Sequence, residues 1–575
     1  MKNAHCSKNL TGLVLILLLV GFCTLPSIFT SPASARDSLK VGLLEEPKTL
    51  NIWMASDTWS SKVLSQIYQP LYIREPEKLD LIPWLAESDP VYNEAELSYT
   101  VTLRPAKWSD GTEVTAEDVI FTGEFIQEFK IPRYASYFKF VKKMEALDQK
   151  TVRYHLEKPQ AIFLSRTLTT PIVQKKQWMP IVNDIRGKDK PLAEIINVKI
   201  DQPIGCGPFV LKEWQQGAYI FMAANPDFFG RSLTIAGRKL GPYIDGIIFK
   251  VFGTSDAAIL ALKKGTIDMF WWGIQAGYIE DLKKQKTVEI HTNDKSALYY
   301  MGFNVRKAPF SDPALRRAIA TLIDKDFIIT RILQGYAIEL DSVVPPGNRF
   351  WHCPNVPSYG KGLSRNERIE AAYDILKNAG YSWDTPPVDP KGKISAAKGL
   401  RLPDGKTMEG FTILTPPADY DPNRAMTGMI VQEWLRQMGM PATSRPMAFG
   451  ALIDQVKSRH DFDAFVLGYG KLSLDPDYIR NFFSSSNDKS KGSNMSGYRN
   501  PEFDRIAEES AATMDAKKRQ DLVWKMQSII LEDVPYIPIY NPKVVEAVRN
   551  DHFKGWVDMI EGIGNHWSFC LVEPR

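Results

Sequence analysis

Residues 99–119 read YTVTLRPAKWSDGTEVTAEDV, and this run carries three structural signals in succession. Its β-branched and aromatic beginning predicts a strand. Ser109-Asp110-Gly111 predicts a turn, because aspartate and glycine accept the backbone conformations that turns require. Thr115 followed three residues later by Asp118 resembles a capping box and predicts the start of a helix. Trp108, which stands beside the turn, is expected to lie in the core.

The same alternation of strand-like and helical stretches continues on both sides of this run. Short β-branched runs alternate with stretches of helical periodicity, which indicates an α/β or α+β protein. Helix starts are also predicted at Ser364, with Glu367 completing a capping box, and at Asp312-Pro313, where proline occupies the first helical position. Ser484 to Gly497, rich in Ser, Asn and Lys, is expected to be a mobile surface loop.

Composition excludes several classes of protein. The chain has 575 residues, 44% of them hydrophobic and 24% charged, so it has ample material for large cores and is not a disordered or coiled-coil protein. Its net charge is only +4 and no basic run stands out. Nothing therefore points to nucleic acid as a partner.

The first residues are typical of a secretory signal. A basic beginning precedes an apolar run from Leu10 to Phe22 and the small residues Ala33-Ser34-Ala35. We therefore expect a signal peptide at residues 1–35 and a mature chain in the periplasm without a membrane helix. A lipid anchor at Cys23 is the alternative.

Three cysteines remain after residue 35: Cys206, Cys353 and Cys570. At most one disulfide can form among them, and the sequence does not decide which pair it would be. A large exported protein with so few cysteines has to be held together by its cores.

The sequence lacks the usual motifs of metal binding, nucleophilic catalysis and nucleotide binding. No two histidines have the spacing of zinc ligands, and there is neither a nucleophile elbow of the G-x-S-x-G type nor a phosphate-binding loop with lysine. We expect no cofactor and no catalytic residues.

Ordered sequence blocks along nearly the whole mature chain resemble the solute-binding proteins of peptide, dipeptide and nickel ABC importers, called solute-binding family five. The most specific block is the Tyr99 to Val119 run with its Leu-Arg, Trp-Ser-Asp-Gly and Thr-Ala-Glu-Asp-Val elements. The others are Glu46 to Asn51, Ile67 to Leu71, Pro203 to Phe209, Gly265 to Asp268, Gly302 to Asn304, Ala308 to Asp312, Ala379 to Tyr381, Tyr498 to Asp504 and Asp533 to Pro538.

The resemblance implies an α/β, two-lobed fold of the type II periplasmic binding protein kind, with an extra subdomain in lobe one and two hinge crossovers. Carried onto this chain, lobe one comprises residues 36–297 and returns at 541–575, and lobe two comprises 298–540. A ligand held between two such lobes favours the closed state through its contacts with both of them.

The resemblance also places ligand contacts. Trp271 and Trp272 follow the Gly265 to Asp268 block in the segment that lines the cleft in relatives, and an aromatic face offers contact area at little entropic cost. Neighbouring residues of a strand face opposite sides, so we expect one of the two indoles to face the cleft. Asp57 to Ser61, which contains Trp59, is a further candidate loop.

A departure from the family pattern affects the choice of ligand. Peptide-binding relatives place an aspartate shortly after a Gly-Trp pair to bind the peptide's amino terminus, whereas this chain reads Gly468-Tyr469-Gly470-Lys471-Leu472. The aspartate position falls on Leu472, and an ammonium group buried there would lack a counter-ion. A shift of register would give the role to Asp475 instead.

The neighbouring cation Lys471, with Arg306 and Arg424 as helpers, would favour an anionic or carboxylated ligand. The alternative is that all three side chains are solvated or pair with surface carboxylates.

The resemblance therefore implies a monomeric, exported binding protein that captures a peptide, modified peptide or other polar molecule and delivers it to a membrane-embedded ABC permease. Two alternatives remain. One is binding of nickel or a metal chelate by the same fold, and the other is a secreted hydrolase, for which the sequence offers no nucleophile with a partnered base.

Overall fold

The computed structural model describes residues 37–575, which form one compact unit. The signal peptide expected at residues 1–35, including Cys23, lies outside the described residues. Among residues 37–575, no helix is both long enough and apolar enough to cross a bilayer.

The first part of the chain, up to residue 297, alternates strands with helices, as the periodicity predicts. Its strands are β1 (Ser38–Leu43), β2 (Tyr72–Arg74), β3 (Leu81–Pro83), β4 (Val91–Asn93), β5 (Ser98–Thr102), β6 (Val141–Ala146), β7 (Thr151–Leu156), β8 (Phe209–Gln215), β9 (Tyr219–Ala224), β10 (Thr234–Ile235), β11 (Arg238–Lys239), β12 (Gly246–Val251), β13 (Met269–Phe270) and β14 (Val288–Asp294). Its α-helices are α1 (Thr58–Leu64), α2 (Ala116–Phe129), α3 (Ala135–Phe138), α4 (Lys175–Ile185), α5 (Pro191–Asn197), α6 (Ser255–Lys263) and α7 (Ala276–Lys283).

The remaining chain continues this alternation. Its strands are β15 (Leu298–Phe303), β16 (Ala337–Glu339), β17 (Ser382–Thr385), β18 (Lys398–Arg401), β19 (Phe411–Thr415), β20 (Ala442–Pro446), β21 (Ala464–Tyr469), β22 (Tyr536–Arg549), β23 (Phe553–Lys554) and β24 (Glu573–Pro574). Its α-helices are α8 (Pro313–Leu322), α9 (Lys325–Phe327), α10 (Arg365–Asn378), α11 (Pro422–Gln437), α12 (Phe449–Ile453), α13 (Tyr478–Phe483), α14 (Pro501–Ala512), α15 (Ala516–Asp533) and α16 (His566–Leu571).

One long strand connects the two parts of the main sheet. The sheet runs β20-β19-β21-β15-β22-β13-β1-β12-β9-β8, and β14 and β16 also pair with β22. The first residues of β22, Tyr536 to Tyr540, pair with β15, whereas Lys543 to Arg549 pair with β14. Only residues 295–297 separate β14 from β15. Two antiparallel segments therefore run side by side through the middle of the molecule.

The buried apolar side chains fall into four cores that follow the same division. Two cores take their buried members from residues 39–288 and 545–572. The other two take theirs from residues 298–540. A separate sheet, β4-β5-β7-β6, lies in the first part and contains residues 99–102, the beginning of the 99–119 run.

The local predictions for that run are confirmed. Trp108 is buried and its indole N–H donates to Asp118 at 3.2 Å. The same carboxylate accepts the backbone N–H of Thr115 at 2.9 Å, at the start of α2. The Ser364 capping box and the Asp312 cap are present as well.

One loop prediction is wrong for the last part of its range, whereas residues 489–491 are exposed as expected. Residues 484–497 contain polar side chains, but Asn494 and Ser496 are fully buried. The Asn494 amide donates to the carbonyl groups of Phe483, Ser484 and Tyr498, so the segment is held inside the fold by its own asparagine.

The three cysteines are buried and none is joined to another. Cys206 lies in a turn where glycine is needed on both sides. A Cβ at Gly205 would stand 2.1 Å from the Ile67 carbonyl oxygen, and one at Gly207 would stand 2.3 Å from that of Gln66. The Gly-Cys-Gly run therefore serves close backbone packing.

Candidate functional site

A pair of tryptophans lies beside the middle of the sheet. Trp59, in the first turn of α1, packs on Trp272 with ring centroids 5.1 Å apart. Trp272 is 39% exposed, while its neighbour Trp271 is 4% exposed. The two indoles after β13 therefore have opposite environments, and an open aromatic surface remains at Trp272.

Lys62, one turn after Trp59, lies over the buried indole. Its ammonium nitrogen is 3.6 Å from the centroid of the Trp271 ring, which is a close cation–π contact. Burial lowers the pKa of Lys62, the charge of Lys471 adds to that effect, and the carboxylates of Glu546 and Glu561 oppose it. The Lys62 amine is thus desolvated, and the charges of three neighbouring side chains act on it.

Glu546 is a buried carboxylate on β22. Its Oε2 accepts backbone N–H groups from Ile563 at 2.5 Å and from Gly564 at 3.3 Å. Burial raises the pKa of Glu546, against the opposing effects of Lys62 and of these two hydrogen bonds. A Cβ at Gly564 would stand 1.7 Å from Nε1 of Trp271, so only glycine lets this loop reach the carboxylate.

Ser296, between β14 and β15, joins three parts of the chain through its backbone. Its carbonyl accepts the N–H of Leu472 at 2.5 Å, and its N–H donates to Glu561 Oε1 at 2.7 Å. Glu561 has φ +73°, a conformation that costs free energy in a non-glycine residue and persists only where surrounding contacts hold it. The loop after β21 and the loop that contains Glu561 therefore both contact the residue between β14 and β15.

The segment from Tyr469 to Leu472 leaves β21 at this point. Tyr469 stacks on Tyr300 at 5.6 Å and on Phe482 at 4.3 Å, which fixes the direction in which the chain leaves the strand. Gly470 and Lys471 are exposed, whereas Leu472 is buried. A Cβ at Gly470 would stand 4.0 Å from the Tyr299 hydroxyl, so that ring lies next to the exposed backbone.

The two arginines named as helpers of Lys471 already have carboxylate partners. Arg424 is buried, pairs with Asp421 at 2.7 Å and has the Tyr299 ring 5.9 Å away. Arg306 donates to Asp488 at 3.0 Å. Lys471 differs from both, because no carboxylate oxygen of residues 37–575 lies within 4.0 Å of its ammonium group.

Asp475, the register alternative for an amine anchor, is engaged inside the fold. Its two oxygens accept from Nη2 and Nη1 of Arg519, each at 2.8 Å, and Oδ2 also accepts the Ser165 hydroxyl at 2.7 Å. The pKa of Asp475 is held well below its usual range by Arg519 and these hydrogen bonds, which outweigh the effect of burial. Its side chain is a structural counter-ion.

The structure places the residues singled out in the sequence in two groups, Trp59 with Trp272 and Tyr469 to Leu472 beside Ser296. It also adds residues that sequence reasoning missed. Lys62, Glu546, Glu561 and Ser296 were not predicted. Two of them carried a signal. Lys62 is three residues after Trp59 and so shares its helix face, and Glu546 is the one acidic residue of β22 and lies in its buried final stretch, Val544 to Arg549. Glu561 and Ser296 carried none, since their roles depend on a contact between distant parts of the chain.

The described residues, 37–575, include no cluster of side chains suited to hold a metal ion. Within residues 37–575, no group of three or more His, Cys, Asp or Glu side chains is placed to hold a metal ion. Within these residues, no side-chain cluster supports the nickel alternative.

The comparisons with known proteins agree on one protein family. The sequence model described as bacterial extracellular solute-binding proteins, family 5 Middle, matches residues 80–491. The oligopeptide-binding protein AppA of Bacillus subtilis (strain 168) is 29% identical over 513 residues, which cover 88% of this chain and 86% of AppA. The probable D,D-dipeptide-binding periplasmic protein DdpA of Escherichia coli (strain K12) is 26% identical over 546 residues, covering 93% and 94% of the two chains.

Solved structures agree with the sequence comparison. The structure of Bacillus subtilis AppA in complex with a nonapeptide superposes with a TM-score of 0.64 at 26% identity, covering 94% of this chain and 99% of AppA. HbpA2 from Haemophilus parasuis superposes with a TM-score of 0.75 at 21% identity, covering 94% and 100%, and shares the fold.

Proposed function

Because the chain belongs to the family 5 bacterial extracellular solute-binding proteins, we propose that it captures a peptide or peptide-like solute between two lobes and delivers it to an ABC importer. The relatives AppA and DdpA are named for binding oligopeptides and D,D-dipeptides, and they match this chain over more than four fifths of its length. A protein of this kind works by shifting between open and closed populations rather than by catalysis.

The lobes are those predicted from the sequence, 36–297 with 541–575 and 298–540. The separation of the four buried cores at residues 288–298 and 540–545 supports this division. β22 and the β14–β15 segment would then be the two crossovers, with Ser296 at the hinge.

The observation that carries the proposal is the meeting of both sides at the hinge. Trp59, Lys62 and Trp272 come from the first lobe, and Lys471 with Leu472 comes from the second. A ligand contacting Trp272 and the exposed backbone at Gly470 would touch both lobes, which is what a closing binding protein requires.

Ligand-dependent stabilisation tests the proposal. The mature chain, residues 36–575, is purified without denaturation, and any co-purified solute is released and identified by mass spectrometry. We expect peptides in the released material, and a rise in Tm when the emptied protein is mixed with tripeptide to pentapeptide libraries. Absence of any Tm rise at saturating peptide would contradict the proposal.

A matched pair of variants locates the site. Trp272→Ala removes an exposed ring of the proposed cleft, and we expect a loss of peptide affinity of about tenfold or more, in the range measured for aromatic contacts at binding sites. Trp214→Ala removes a part-buried indole from β8, the strand at the edge of the main sheet, and should leave affinity unchanged. Equal affinities for the two variants would place the ligand elsewhere.

The family consists of binding proteins, and we propose that this chain too releases its ligand unchanged. Incubation of bound peptide with the purified protein, followed by mass spectrometry, should return the intact peptide. Steady cleavage that survives further purification would revive the hydrolase alternative.

The mature protein is proposed to act in the periplasm as a monomer, with the permease as its membrane partner. Sedimentation of the purified chain tests the oligomeric state. Fractionation of cells with and without Cys23→Ala separates a diffusing protein from one held to the membrane by a lipid.

A further inference from the structure

We infer that Lys62 and Lys471 together receive an anionic group of the ligand, so that the ligand lies in the cleft with a carboxylate at the hinge. This inference rests on the proposed function and names the chemistry that the site selects. It concerns a charge arrangement made by two separate parts of the chain.

The first cation, Lys62, is held in place without an ion pair. Its ammonium group rests 3.6 Å from the centre of the Trp271 ring, and its stem is half-buried in the last turn of α1. No carboxylate oxygen of residues 37–575 lies within 4.0 Å of it. A cation–π contact leaves the other side of an ammonium group open to a hydrogen-bond acceptor.

One oxygen of each nearby carboxylate accepts hydrogen bonds from backbone donors, and neither carboxylate lies within 4.0 Å of the Lys62 ammonium nitrogen. Oε2 of Glu546 accepts from Ile563 and Gly564, and Oε1 of Glu561 accepts from Ser296. They balance the charge of Lys62 through space without contacting it. The direct contact position on the ammonium group is therefore left to another acceptor.

The second cation, Lys471, comes from the other proposed lobe. It is exposed, and no carboxylate oxygen of the described residues lies within 4.0 Å of its ammonium group. The N–H of the next residue donates to Ser296, and the Ser296 N–H donates to Glu561. The loop from Glu561 to Gly564 packs on the Trp271 ring under Lys62, so both lysines belong to segments that meet at this loop. Two neighbouring ammonium groups repel each other, whereas an anion placed between them attracts both. Such an anion would also tie the two lobes together.

The remaining side chains oppose the reverse orientation of the ligand. Leu472 is apolar and buried where peptide-binding relatives carry an amine-binding aspartate, and Asp475 is fully used by Arg519 and Ser165. A ligand ammonium group at this end would face Lys471 instead of a free carboxylate. The described side chains therefore fit a ligand whose carboxylate points toward the hinge.

Three forms of one peptide library test the orientation. A tripeptide library built from Ala, Leu, Phe, Ser and Tyr carries charge only at its termini, and it is made as free acids, as C-terminal amides and as N-acetylated acids. We expect the free acids and the N-acetylated acids to raise Tm, and the amides to bind at least tenfold more weakly.

Lysine variants connect the orientation to the two side chains. Lys62→Met and Lys471→Met keep an apolar stem of similar length, and each should weaken binding of the free acids by about tenfold while leaving the amides unchanged. Lys62→Arg keeps the charge and should retain the preference for acids. Lys142→Met, on the exposed edge strand β6, is the matched control and should behave as the unaltered protein.

The outcomes separate this inference from the proposed function. Equal binding of acids and amides would overturn the inference and leave peptide capture standing. A greater loss on N-acetylation than on amidation would overturn it too, because the ligand's ammonium group would then contribute more to binding than its carboxylate. Failure of all three forms to bind would overturn both.

Discussion

Asp475→Asn removes the charge that balances a buried arginine. The Asp475 and Arg519 side chains are 3% and 5% exposed and share two hydrogen bonds of 2.8 Å. Removal of one partner from a buried pair leaves an unpaired charge, which costs about 3 to 5 kcal/mol. We expect Asp475→Asn to lower the free energy of unfolding by this amount.

The measurement is the midpoint of urea denaturation, followed by circular dichroism. Asp384→Asn is the matched control, because Asp384 also pairs with an arginine, Arg401, but both side chains are about half exposed. A surface pair of this kind contributes at most about 1 kcal/mol. Equal losses in the two variants would refute the reasoning from burial.

The pH dependence of the same pair has a definite sign. The folded pKa of Asp475 is depressed, so its carboxylate stabilises the fold fully above the unfolded value of about 4. This contribution disappears as pH falls toward the folded pKa. The difference in stability between the unaltered protein and Asp475→Asn should therefore be constant from pH 7 to pH 5 and shrink below pH 4.

Ligand binding provides an independent check on Asp475. As a structural counter-ion, it should affect free-amine and N-acetylated peptides equally once the variant is folded. Selective loss of the free-amine peptides would make Asp475 an amine anchor after all.

Three further changes test other parts of the structure. Gly564→Ala should destabilise the protein and alter Trp fluorescence, because a Cβ there would stand 1.7 Å from Trp271, whereas Gly277→Ala, with open space in α7, should be neutral or stabilising by about 0.5 to 1 kcal/mol in thermal unfolding. Asn494→Ala should cost about 2 to 3 kcal/mol in urea denaturation, since it leaves several backbone groups without partners, and an effect below 0.5 kcal/mol would restore the surface-loop interpretation. A thiol reagent should modify none of Cys206, Cys353 and Cys570 in the native mature chain and all three in urea. A reaction with the native protein would contradict their burial.

Local signals in the sequence predicted the elements well because their causes are local. The Thr115 and Ser364 capping boxes, the Asp312-Pro313 start and the strand at the beginning of the 99–119 run all depend on a few neighbouring residues. The two-lobed family fold was found from the order of sequence blocks, each of which is weak alone. Polarity misled at Asn494, whose polar side chain satisfies backbone groups inside the fold instead of facing water.

The site was harder to predict because its charges meet over long sequence separations. The aromatic pair and Lys471 stood out by residue type and by family position. Arg306 and Arg424 looked equally available in the sequence, and only the partners Asp488 and Asp421 show that they are engaged. Glu561 reaches Ser296 across 265 residues, a contact that no periodicity or spacing encodes.

The position of β22 near the end of the chain also affects how the protein is made. This strand supplies the central partner for β13, β14, β15 and β16, so the main sheet has a gap in its middle until residues 536–549 have been synthesised. A nascent polypeptide without them cannot complete either side of the sheet. The middle of the main sheet is therefore the last part that can form as the polypeptide is synthesised, after most residues of the four cores are already present.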